Sequence, residues 1–452
     1  MIRGKQFLKG FVFLLLLAVV VNSTGDIFGV VISRNALCWR GFKKEKRDSI
    51  DAVIIGASNV IGFWQPAFGW ADHGIAVWSV SVLGLTCAAV KNLMIEARKT
   101  QPDALYIVNL SNFKGDGLPG DPAHVHNPLN YMPFSLNKVK LTHALVQRTE
   151  FRGVDALEYY LPVIRFHSRW DDLRSWAFGA ETTDYKMSFK STSFTEKVYN
   201  IKKIFSLDND VREPLPEDIE EVFVELLDYC DENHVNVLFV KSPQATNSQR
   251  QGRMNTMEDM VAQRGYPCLD LLEDFYSVGF DVRTDFYNKG HTNVHGSLKF
   301  SKALGDYLVE NYHFEDKRGL PGWEDWDKAS QLYNAYCSAY TLPIEREHAP
   351  RFESDIPTLG KLSVKRKNIT VSWTGVEGAE GYAIFRKADK SEVGKAWRCI
   401  AEVDAGVNRY TDEKLKASTK YCYTVVPLRG DEEAREYGSF DVLGVSAVTG
   451  GK

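Results

Sequence analysis

The amino-acid sequence predicts an α/β domain built as three layers around a parallel sheet, followed by an all-β sandwich. Over residues 50–315, short apolar runs alternate with segments of helical periodicity, a pattern typical of parallel strands that are covered on both faces. Residues 355–452 instead contain short strands separated by turns, which predicts a sandwich of two packed sheets. A basic and then apolar amino terminus precedes both domains.

The composition narrows the class of protein. Of 452 residues, 44% are hydrophobic and 25% are charged, which excludes a disordered chain, a collagen-like chain and a polytopic membrane protein. The net charge of -4 gives no basic nucleic-acid-binding surface, so we expect no nucleic-acid partner. The 7 cysteines are scattered and form no CxxC pair, so we expect neither a disulfide scaffold nor a structural zinc site.

Residues 1–32 predict a signal anchor or a signal peptide. Three basic residues precede an apolar run over 10–21, and a second apolar stretch covers 27–32. The first run alone suits a signal-peptide core, whereas both together suit a tilted single-pass anchor. The basic residues place the amino terminus in the cytoplasm, so the rest of the chain is predicted to be exported. No A-x-A cleavage site follows, which favours a retained anchor over a secreted protein.

The intervening segments complete the domain plan. The basic residues 33–49 predict a membrane-proximal linker, and residues 316–354 predict a helix and a second linker. Residues 111–200 are rich in Asn, Pro and aromatic residues and predict an inserted cap or long loops. In the first domain the predicted strands are 51–58, 104–110 and 235–240, and the predicted helices are 86–99, 217–233, 254–263 and 297–312. The stretch 268–271 is expected to precede a loop.

The carboxyl-terminal strands carry a more specific pattern. The predicted strands are 362–364, 369–373, 382–385, 397–403, 421–425 and 442–448. Trp373, Tyr382 and the Tyr421-x-Tyr423 pair, with Leu415 six residues before Tyr421, resemble a fibronectin type III module and its tyrosine corner. The resemblance implies a spacer or a binding unit outside the cell.

The first candidate functional residue is Ser58, which follows the first predicted strand in Gly56-Ala57-Ser58-Asn59. In an open parallel sheet, ligands bind in the crevice outside the carboxyl ends of the strands. Val60 stands where a G-x-S-x-G motif needs its second glycine, so the nucleophile elbow of α/β-hydrolases is not supported. A role as a turn or helix-cap serine stays open at this point.

A histidine near the other end of the domain could activate this serine. The stretch from Asp285 through Asn288 to His291 precedes the last predicted helix, where a side chain can lie beside the first strand of a doubly wound sheet. A serine hydroxyl needs a base to become a nucleophile, and imidazole has a suitable pKa near 7. We therefore predict that Ser58 and His291 meet at one groove.

This layout resembles the SGNH (GDSL-like) hydrolase superfamily. Gly56-Ala57-Ser58 is similar to the Gly-Asp-Ser block, and His291 is similar to the histidine of the closing Asp-x-x-His block. The resemblance implies that Ser58 is the nucleophile and His291 the base. It also implies that the oxyanion is held by the Ser58 backbone, Gly84 and Asn112, with Asn109 as the alternative to Asn112. It implies no metal and no other cofactor.

Two positions depart from the family pattern. Ala57 replaces an aspartate whose side chain is not the nucleophile, and Asn288 stands where the family has the aspartate of the Asp-x-x-His block. An amide cannot stabilise an imidazolium as a carboxylate does. Three outcomes follow: Asp285 takes the orienting role, the protein works with a Ser-His dyad, or its activity is weak or lost.

Further motifs resemble a Gram-positive subgroup related to DltD, the cell-surface D-alanylation protein. They are the amino-terminal segment, His167-Ser-Arg169-Trp170, Lys241-Ser-Pro243 and His291-Thr-Asn. Those relatives and the similar alginate O-acetylation proteins handle acyl groups on envelope polymers, often with a membrane-bound O-acyltransferase. The resemblance implies an esterase or O-acyltransferase acting on acetyl or alanyl esters of an envelope glycan or polymer.

Four further interpretations stand beside this one. His167, Arg169 and Trp170 either bind the substrate or form a packed loop. The spacing of His291 and His295 suits a metal on a helix, but Thr292 and Gly296 do not fit H-E-x-x-H, so no metal is predicted. His124 and His126 are interpreted as solvated surface. A catalytically inactive, envelope-binding protein with an adhesion or spacer module is the competing function, and Asn288 is the residue that supports it.

Overall fold

The computed structural model describes residues 2–28, 34–118, 122–130, 132–148, 157–172, 190, 194–199, 201, 210–275, 277–347, 349–388 and 396–451. Much of the expected cap at 111–200 therefore lies outside the described residues.

A five-stranded parallel sheet forms the centre of the first domain, in the order β2-β1-β3-β4-β5. Its strands are β1 Ala52–Gly56, β2 Val77–Ser81, β3 Leu105–Asn109, β4 Val237–Lys241 and β5 Cys268–Asp270. The sequence did not predict β2, because Ser79 and Ser81 interrupt its apolar character. The structure buries both serines and joins their hydroxyls by a hydrogen bond of 2.8 Å.

Helices connect and cover these strands. They are α1 Ile2–Phe28, α2 Arg34–Phe42, α3 Ser58–Phe63, α4 Pro66–His73, α5 Val90–Arg98, α6 Pro122–Leu129, α7 Leu136–Arg148, α8 Leu157–Tyr160, α9 Pro162–Phe166, α10 Glu217–Glu232, α11 Ser248–Gln263 and α12 Val294–Tyr312. Helix α10 shows why they form: its apolar residues recur every three or four positions and are buried, and acidic residues occupy its first turn, where they favour the helix dipole.

Alternate side chains of the strands feed two separate cores. Val53 belongs to the core that includes Phe223 of α10, whereas its neighbour Ile54 belongs to the core that includes Phe63 of α3 and Phe300 of α12. This alternation is the period of two expected for a strand. The first domain is thus a sheet between two helical layers, as the sequence predicts for its fold class.

The predicted linker at 33–49 is instead part of the first domain. Helix α2 buries Cys38, Trp39 and Phe42 in the core, and the Cys38 thiol donates a hydrogen bond to the Ser79 carbonyl. The rings of Phe42 and Trp78 lie 6.2 Å apart. Arg40, between these apolar positions, and the basic residues that follow Phe42 hid this buried face in the sequence.

Helix α1 covers the apolar run expected to form a signal segment. Among the described residues, no helix has both the length and the apolarity required to cross a bilayer.

Two antiparallel sheets form the second domain. A short hairpin of the first domain, β6 Phe286–Asn288 and β7 His291–Thr292, precedes them along the chain. The strands of the second domain are β8 Ser363–Lys365, β9 Asn368–Ser372, β10 Gly381–Ala388, β11 Arg398–Asp404, β12 Arg409–Asp412, β13 Lys420–Arg429, β14 Glu436–Tyr437 and β15 Val445–Val448. One sheet has the order β11-β10-β13-β14, with β15 also on β13, and the other has the order β12-β9-β8.

The core of this sandwich contains the residues singled out in the sequence. Trp373, Tyr382, Leu415 and Tyr423 are buried in one cluster. The Tyr421 hydroxyl accepts a hydrogen bond of 3.2 Å from the Lys416 backbone, which is the contact expected of a tyrosine corner.

Two further helices, α13 Glu324–Cys337 and α14 Pro343–Arg346, lie between the domains in sequence. The Glu345 carboxylate bonds His295 of α12 at 2.5 Å, while Ile344 packs in a cluster with Phe385 of the sandwich. Burial opposes ionisation of Glu345, but the charge and hydrogen bond of His295 lower the pKa of its carboxyl below the usual value. Helix α14 therefore joins α12 to the sandwich.

We expect Tyr421→Phe to reduce the stability of the sandwich by about 1 kcal/mol, the usual net contribution of one hydrogen bond. The measurement is hydrogen exchange of the sandwich strands in the full chain at increasing urea. Tyr410→Phe is the control, because the Tyr410 hydroxyl has no hydrogen bond within the described ranges. Equal effects of the two substitutions would contradict a stabilising tyrosine corner.

Candidate active site

Ser58 lies at the mouth of the sheet. Strand β1 ends at Gly56 and helix α3 begins at Ser58, so a single residue, Ala57, makes the turn between them. A Cβ at Gly56 would collide with the Val60 side chain, which is why this tight turn needs glycine. The serine therefore stands at the carboxyl edge of the sheet, where open α/β sheets bind ligands.

His291 lies next to this serine. Its Nε2 is 2.8 Å from Ser58 Oγ, although the two residues are 233 positions apart in the sequence. The imidazole comes from β7, directly before α12. The structure thus brings together the two residues that the sequence predicts to meet.

Asn288 contacts the other side of the imidazole. Its Oδ1 lies 2.8 Å from His291 Nδ1 and also accepts a hydrogen bond of 2.9 Å from the Gly290 backbone. The Gly290 N–H requires an acceptor, so it orients the amide with its oxygen toward the ring. His291 Nδ1 must then carry the proton, which leaves Nε2 free to accept the Ser58 hydroxyl proton. An amide in this place can therefore select the tautomer that a general base needs.

Buried hydrogen bonds hold the histidine segment against the serine helix. Thr292 Oγ1 donates to the Gly62 carbonyl at 2.8 Å, and Ser297 Oγ donates to the same oxygen. Asn293 caps α12 by accepting from the backbone N–H groups of His295 and Gly296. We call Gly62, Thr292 and Ser297 the α3–α12 clamp, because it fixes the residues on both sides of the Ser58–His291 contact.

Asp285 is not the partner of His291. Its carboxylate is fully buried and accepts hydrogen bonds from Lys299 Nζ at 2.7 Å and from the Asp281 backbone at 2.8 Å. These bonds shape the loop before β6. The alternative in which Asp285 orients His291 is therefore not supported, because Asn288 occupies the place beside the imidazole.

The two asparagines considered for the oxyanion site differ in their contacts. Asn112 Oδ1 accepts from the Ala57 backbone at 3.1 Å, and its Nδ2 is buried with no hydrogen-bond partner among the described residues. Asn109 is buried, and its amide donates to Ser242 Oγ at 2.9 Å while its oxygen accepts from the Ser111 backbone. An available donor beside the serine turn is thus present at Asn112, whereas the Asn109 amide already has a partner.

Gly84 lies on the opposite flank of Ser58. Ser81 pairs with Gly56 in the β1–β2 register, and Gly84 follows three residues later with a φ of 63°, a conformation that favours glycine. A Cβ at Gly84 would lie 3.1 Å from Asn127 Nδ2 and 3.7 Å from His124 Nε2. Helix α6 therefore places two polar side chains over this glycine.

The interpretation of His124 and His126 as solvated surface is wrong for His126. The ring of His126 is buried, stacks on Tyr159 with centroids 4.2 Å apart and pairs with Glu158 at 2.9 Å. Their spacing of two suggested a loop, but both lie on α6.

The candidate substrate-binding residues His167, Arg169 and Trp170 lie near the end of α1. Arg169 donates to the Phe28 carbonyl at 3.0 Å, His167 bonds the Ile164 carbonyl at 2.5 Å and Trp170 is 65% exposed. No hydrogen bond joins His167 or Trp170 to Ser58 or His291 in the part of the chain that the structure describes. The motif contacts α1 and α9, and its role in substrate binding stays a prediction.

The sequence analysis missed a polar pair at the same edge of the sheet. Lys114 follows the short helix after β3, and its Nζ donates to Oε1 of Gln244, which follows β4. Burial and the positive charge of Arg250 lower the pKa of Lys114 to about 7. The positions of both residues, shortly after two adjacent buried strands, could have identified them.

A large cavity lies elsewhere, between the two domains. Its volume is about 990 Å³, and its lining includes His295 and Lys299 of α12 with Phe352 and Phe440. Ser58 and His291 do not line it. The crevice at the strand ends and this interdomain cavity are therefore separate features.

Comparisons with known proteins found similar solved structures, several of which are fibronectin type III domains. No family model and no curated protein matches the chain. Similar solved structures include the FN1–FN3 domains of chicken CNTN1, 24% identical over 23% of this chain and 31% of that chain, with a TM-score of 0.18. An FN3 domain of human collagen XX is 21% identical over 21% of this chain and 94% of that chain, with a TM-score of 0.16.

A β-1,2-glucanase from Parabacteroides distasonis is 25% identical over 22% of this chain and 13% of that chain, with a TM-score of 0.19. The chain thus covers less than two thirds of the glucanase and of the CNTN1 fragment. The second domain itself contains two antiparallel sheets and a tyrosine-corner contact.

We expect Lys114→Met to change the pH dependence of stability. In the unfolded chain a lysine keeps its proton to about pH 10, whereas folded Lys114 releases it near 7, the value to which burial and Arg250 lower its pKa. Between about pH 7 and about pH 10 the unfolded state therefore binds more protons than the folded state. The free energy of unfolding of the wild type rises with pH over this range, and that of Lys114→Met lacks this increase.

Melting temperatures at pH 6 and pH 9 test this expectation. The wild-type value should rise relative to that of Lys114→Met as the pH increases. Lys140→Met, at an exposed position on α7, is the control for loss of one positive charge. If the melting temperatures of wild type and Lys114→Met change with pH in parallel, the pKa of the Lys114 amine is not lowered.

Proposed function

We propose that the first domain is a serine esterase or O-acyltransferase of the SGNH type. The observation that carries this proposal is the hydrogen-bonded series Ser58 Oγ, His291 Nε2, His291 Nδ1 and Asn288 Oδ1, with both contacts at 2.8 Å. A hydroxyl, a base and an orienting group in this order form the arrangement that activates a serine nucleophile.

In the first half-reaction, Ser58 Oγ attacks the acyl carbonyl carbon while its proton passes to His291 Nε2. The oxyanion accepts hydrogen bonds from the backbone N–H groups of Ser58 and Gly84 and from Asn112 Nδ2. One such donor typically lowers the barrier by about 3 kcal/mol. The alcohol then leaves with the proton from His291, and the acyl group stays on Ser58.

In the second half-reaction, an acceptor hydroxyl gives its proton to His291 and attacks the acyl carbon. Collapse of the intermediate returns a proton from His291 to Ser58 Oγ. Water as acceptor yields the free acid, and a sugar hydroxyl yields a new ester. The choice between these acceptors depends on how well the bound acceptor excludes water from the acyl-enzyme.

The substrate and location are proposed from the resemblance to envelope acyl-transfer proteins. The basic and then apolar amino terminus supports export, and a fibronectin type III-like module suits a position outside the cell. We therefore propose acetyl or alanyl esters of an envelope glycan or polymer as substrates. A membrane-bound O-acyltransferase is the proposed protein partner.

A catalytically inactive envelope-binding protein is the second candidate function. Asn288 favours it, because a neutral amide stabilises the imidazolium less than a carboxylate does. The retained contacts of Ser58 and His291 favour the enzyme, since a binding protein has no need of a base on its serine.

Labelling with a fluorophosphonate probe separates these candidates. We expect the wild type to be labelled at Ser58, and we expect Ser58→Ala and His291→Ala to lose at least about a thousandfold in labelling rate, since each removes a part of one catalytic unit. Mass spectrometry of the labelled peptide identifies the site.

Ser248→Ala and His143→Ala serve as matched controls, because both residues are exposed on other helices. They should label at the wild-type rate. A wild type that stays unlabelled from pH 6 to pH 9, with an intact fold, would refute the enzyme and favour the binding protein.

A second prediction concerns the orienting residue. Asn288→Asp should raise kcat/KM for an aryl acetate about five- to tenfold, because a charge-assisted hydrogen bond is about twice as strong as a neutral one. Asn288→Leu should lower it, because the ring loses the acceptor that selects its tautomer. Unchanged rates in both variants would show that Asn288 does not orient His291.

A further inference from the structure

The crevice continues past Ser58 on the side away from Gly84. In the sheet order β2-β1-β3-β4, Gly84 follows β2, Ser58 follows β1, and Asn112 and Lys114 follow β3. Gln244 follows β4, and the next residue, Ala245, donates its backbone N–H to the Lys289 carbonyl at 2.9 Å, two residues before His291. The Lys114–Gln244 pair is therefore tied to the same loops that carry the serine and the histidine.

This flank presents hydrogen-bond donors without matching acceptors. Gln244 is 2% exposed, and its Oε1 accepts a hydrogen bond from Lys114 Nζ. The Nε2 of the same amide therefore points away from Lys114. That Nε2 and the Nδ2 of Asn112 are both buried and have no hydrogen-bond partner within the described ranges. Buried amide donors without partners are costly, which indicates that a ligand supplies the acceptor.

The acidic residue nearest to Lys114 in the sequence already forms ion pairs with two arginines. Asp116, two residues after Lys114, pairs with Arg253 at 2.8 Å and with Arg250 at 3.5 Å. Across the described residues, no carboxylate bonds Lys114, and Arg250 adds a second positive charge to its surroundings. The local balance is therefore positive, and an anion would be attracted to it.

We propose that Lys114 and Gln244, next to the oxyanion donor Asn112, form a subsite for an anionic oxygen group of the substrate, a carboxylate or a phosphate. This inference rests on the proposed function, since it places the subsite beside the reacting ester. Lys114 supplies the charge, the Gln244 amide supplies a directed donor, and their mutual hydrogen bond fixes both. Polymers that carry acids next to their esters would bind here in preference to neutral esters.

Binding is tested first and without any reaction. Calorimetric titrations of Ser58→Ala with inorganic phosphate and, separately, with glucuronate at pH 6 distinguish the two anion types. At least one of them should bind, and adding Lys114→Met should weaken it about tenfold or more, the effect of losing a charge-assisted hydrogen bond. Gln244→Met should also weaken it.

Lys140→Met in the same Ser58→Ala background is the matched control and should leave the affinity unchanged. Calorimetric melting of each variant verifies that it is folded. Absence of binding by both anions, or equal weakening by Lys114→Met and Lys140→Met, would overturn the subsite.

The link to catalysis is tested by hydrolysis of two aryl esters, with the protein that retains Ser58. Lys114→Met should raise KM about tenfold for mono-4-nitrophenyl succinate, which carries a carboxylate, and leave KM for neutral 4-nitrophenyl acetate unchanged. If Lys114→Met abolishes anion binding but the protein that retains Ser58 hydrolyses neither ester, the subsite stands and the proposed enzyme is refuted. Hydrolysis of both esters with KM values unaffected by Lys114→Met would refute the subsite and retain the enzyme.

Discussion

The α3–α12 clamp is the constraint on which the candidate site depends. The Gly62 carbonyl lies in the last turn of the helix that begins at Ser58, and it accepts hydrogen bonds from Thr292 and Ser297 on either side of the start of α12. These groups are buried, so breaking their bonds would leave polar atoms without partners at a cost of about 1–3 kcal/mol each. The clamp thereby fixes the distance between a serine and a histidine that are remote in sequence.

A second constraint acts inside the histidine loop. The backbone N–H of Gly290 selects the orientation of the Asn288 amide, and the amide oxygen then selects the protonated nitrogen of His291. A tight turn of four residues thus sets the tautomer. This explains how an amide beside the imidazole can hold the ring in place while supplying less electrostatic stabilisation than a carboxylate.

The edge of the sheet distributes polar groups on both sides of Ser58. One flank has Gly84 with the polar side chains of α6 above it, and the other has Asn112, Lys114 and Gln244. Most strand side chains below this edge are apolar and belong to two cores, and the candidate catalytic groups belong to residues that follow the strand ends. The second domain attaches through α14 on a different part of α12, and the interdomain cavity is separate from the crevice.

The sequence by itself determined the fold class, most buried strands and the pairing of Ser58 with His291, because apolar periodicity and strand-end motifs are local properties of the chain. It did not reveal β2 or the buried face of α2, where serines and basic residues mask the apolar pattern. Only the tertiary structure placed Asn288 rather than Asp285 beside His291, and only it showed that the Asn109 amide already has a partner whereas Asn112 Nδ2 has none among the described residues. Each of those outcomes depends on which hydrogen-bond partners are already occupied, and partners from distant segments are chosen only when the chain packs.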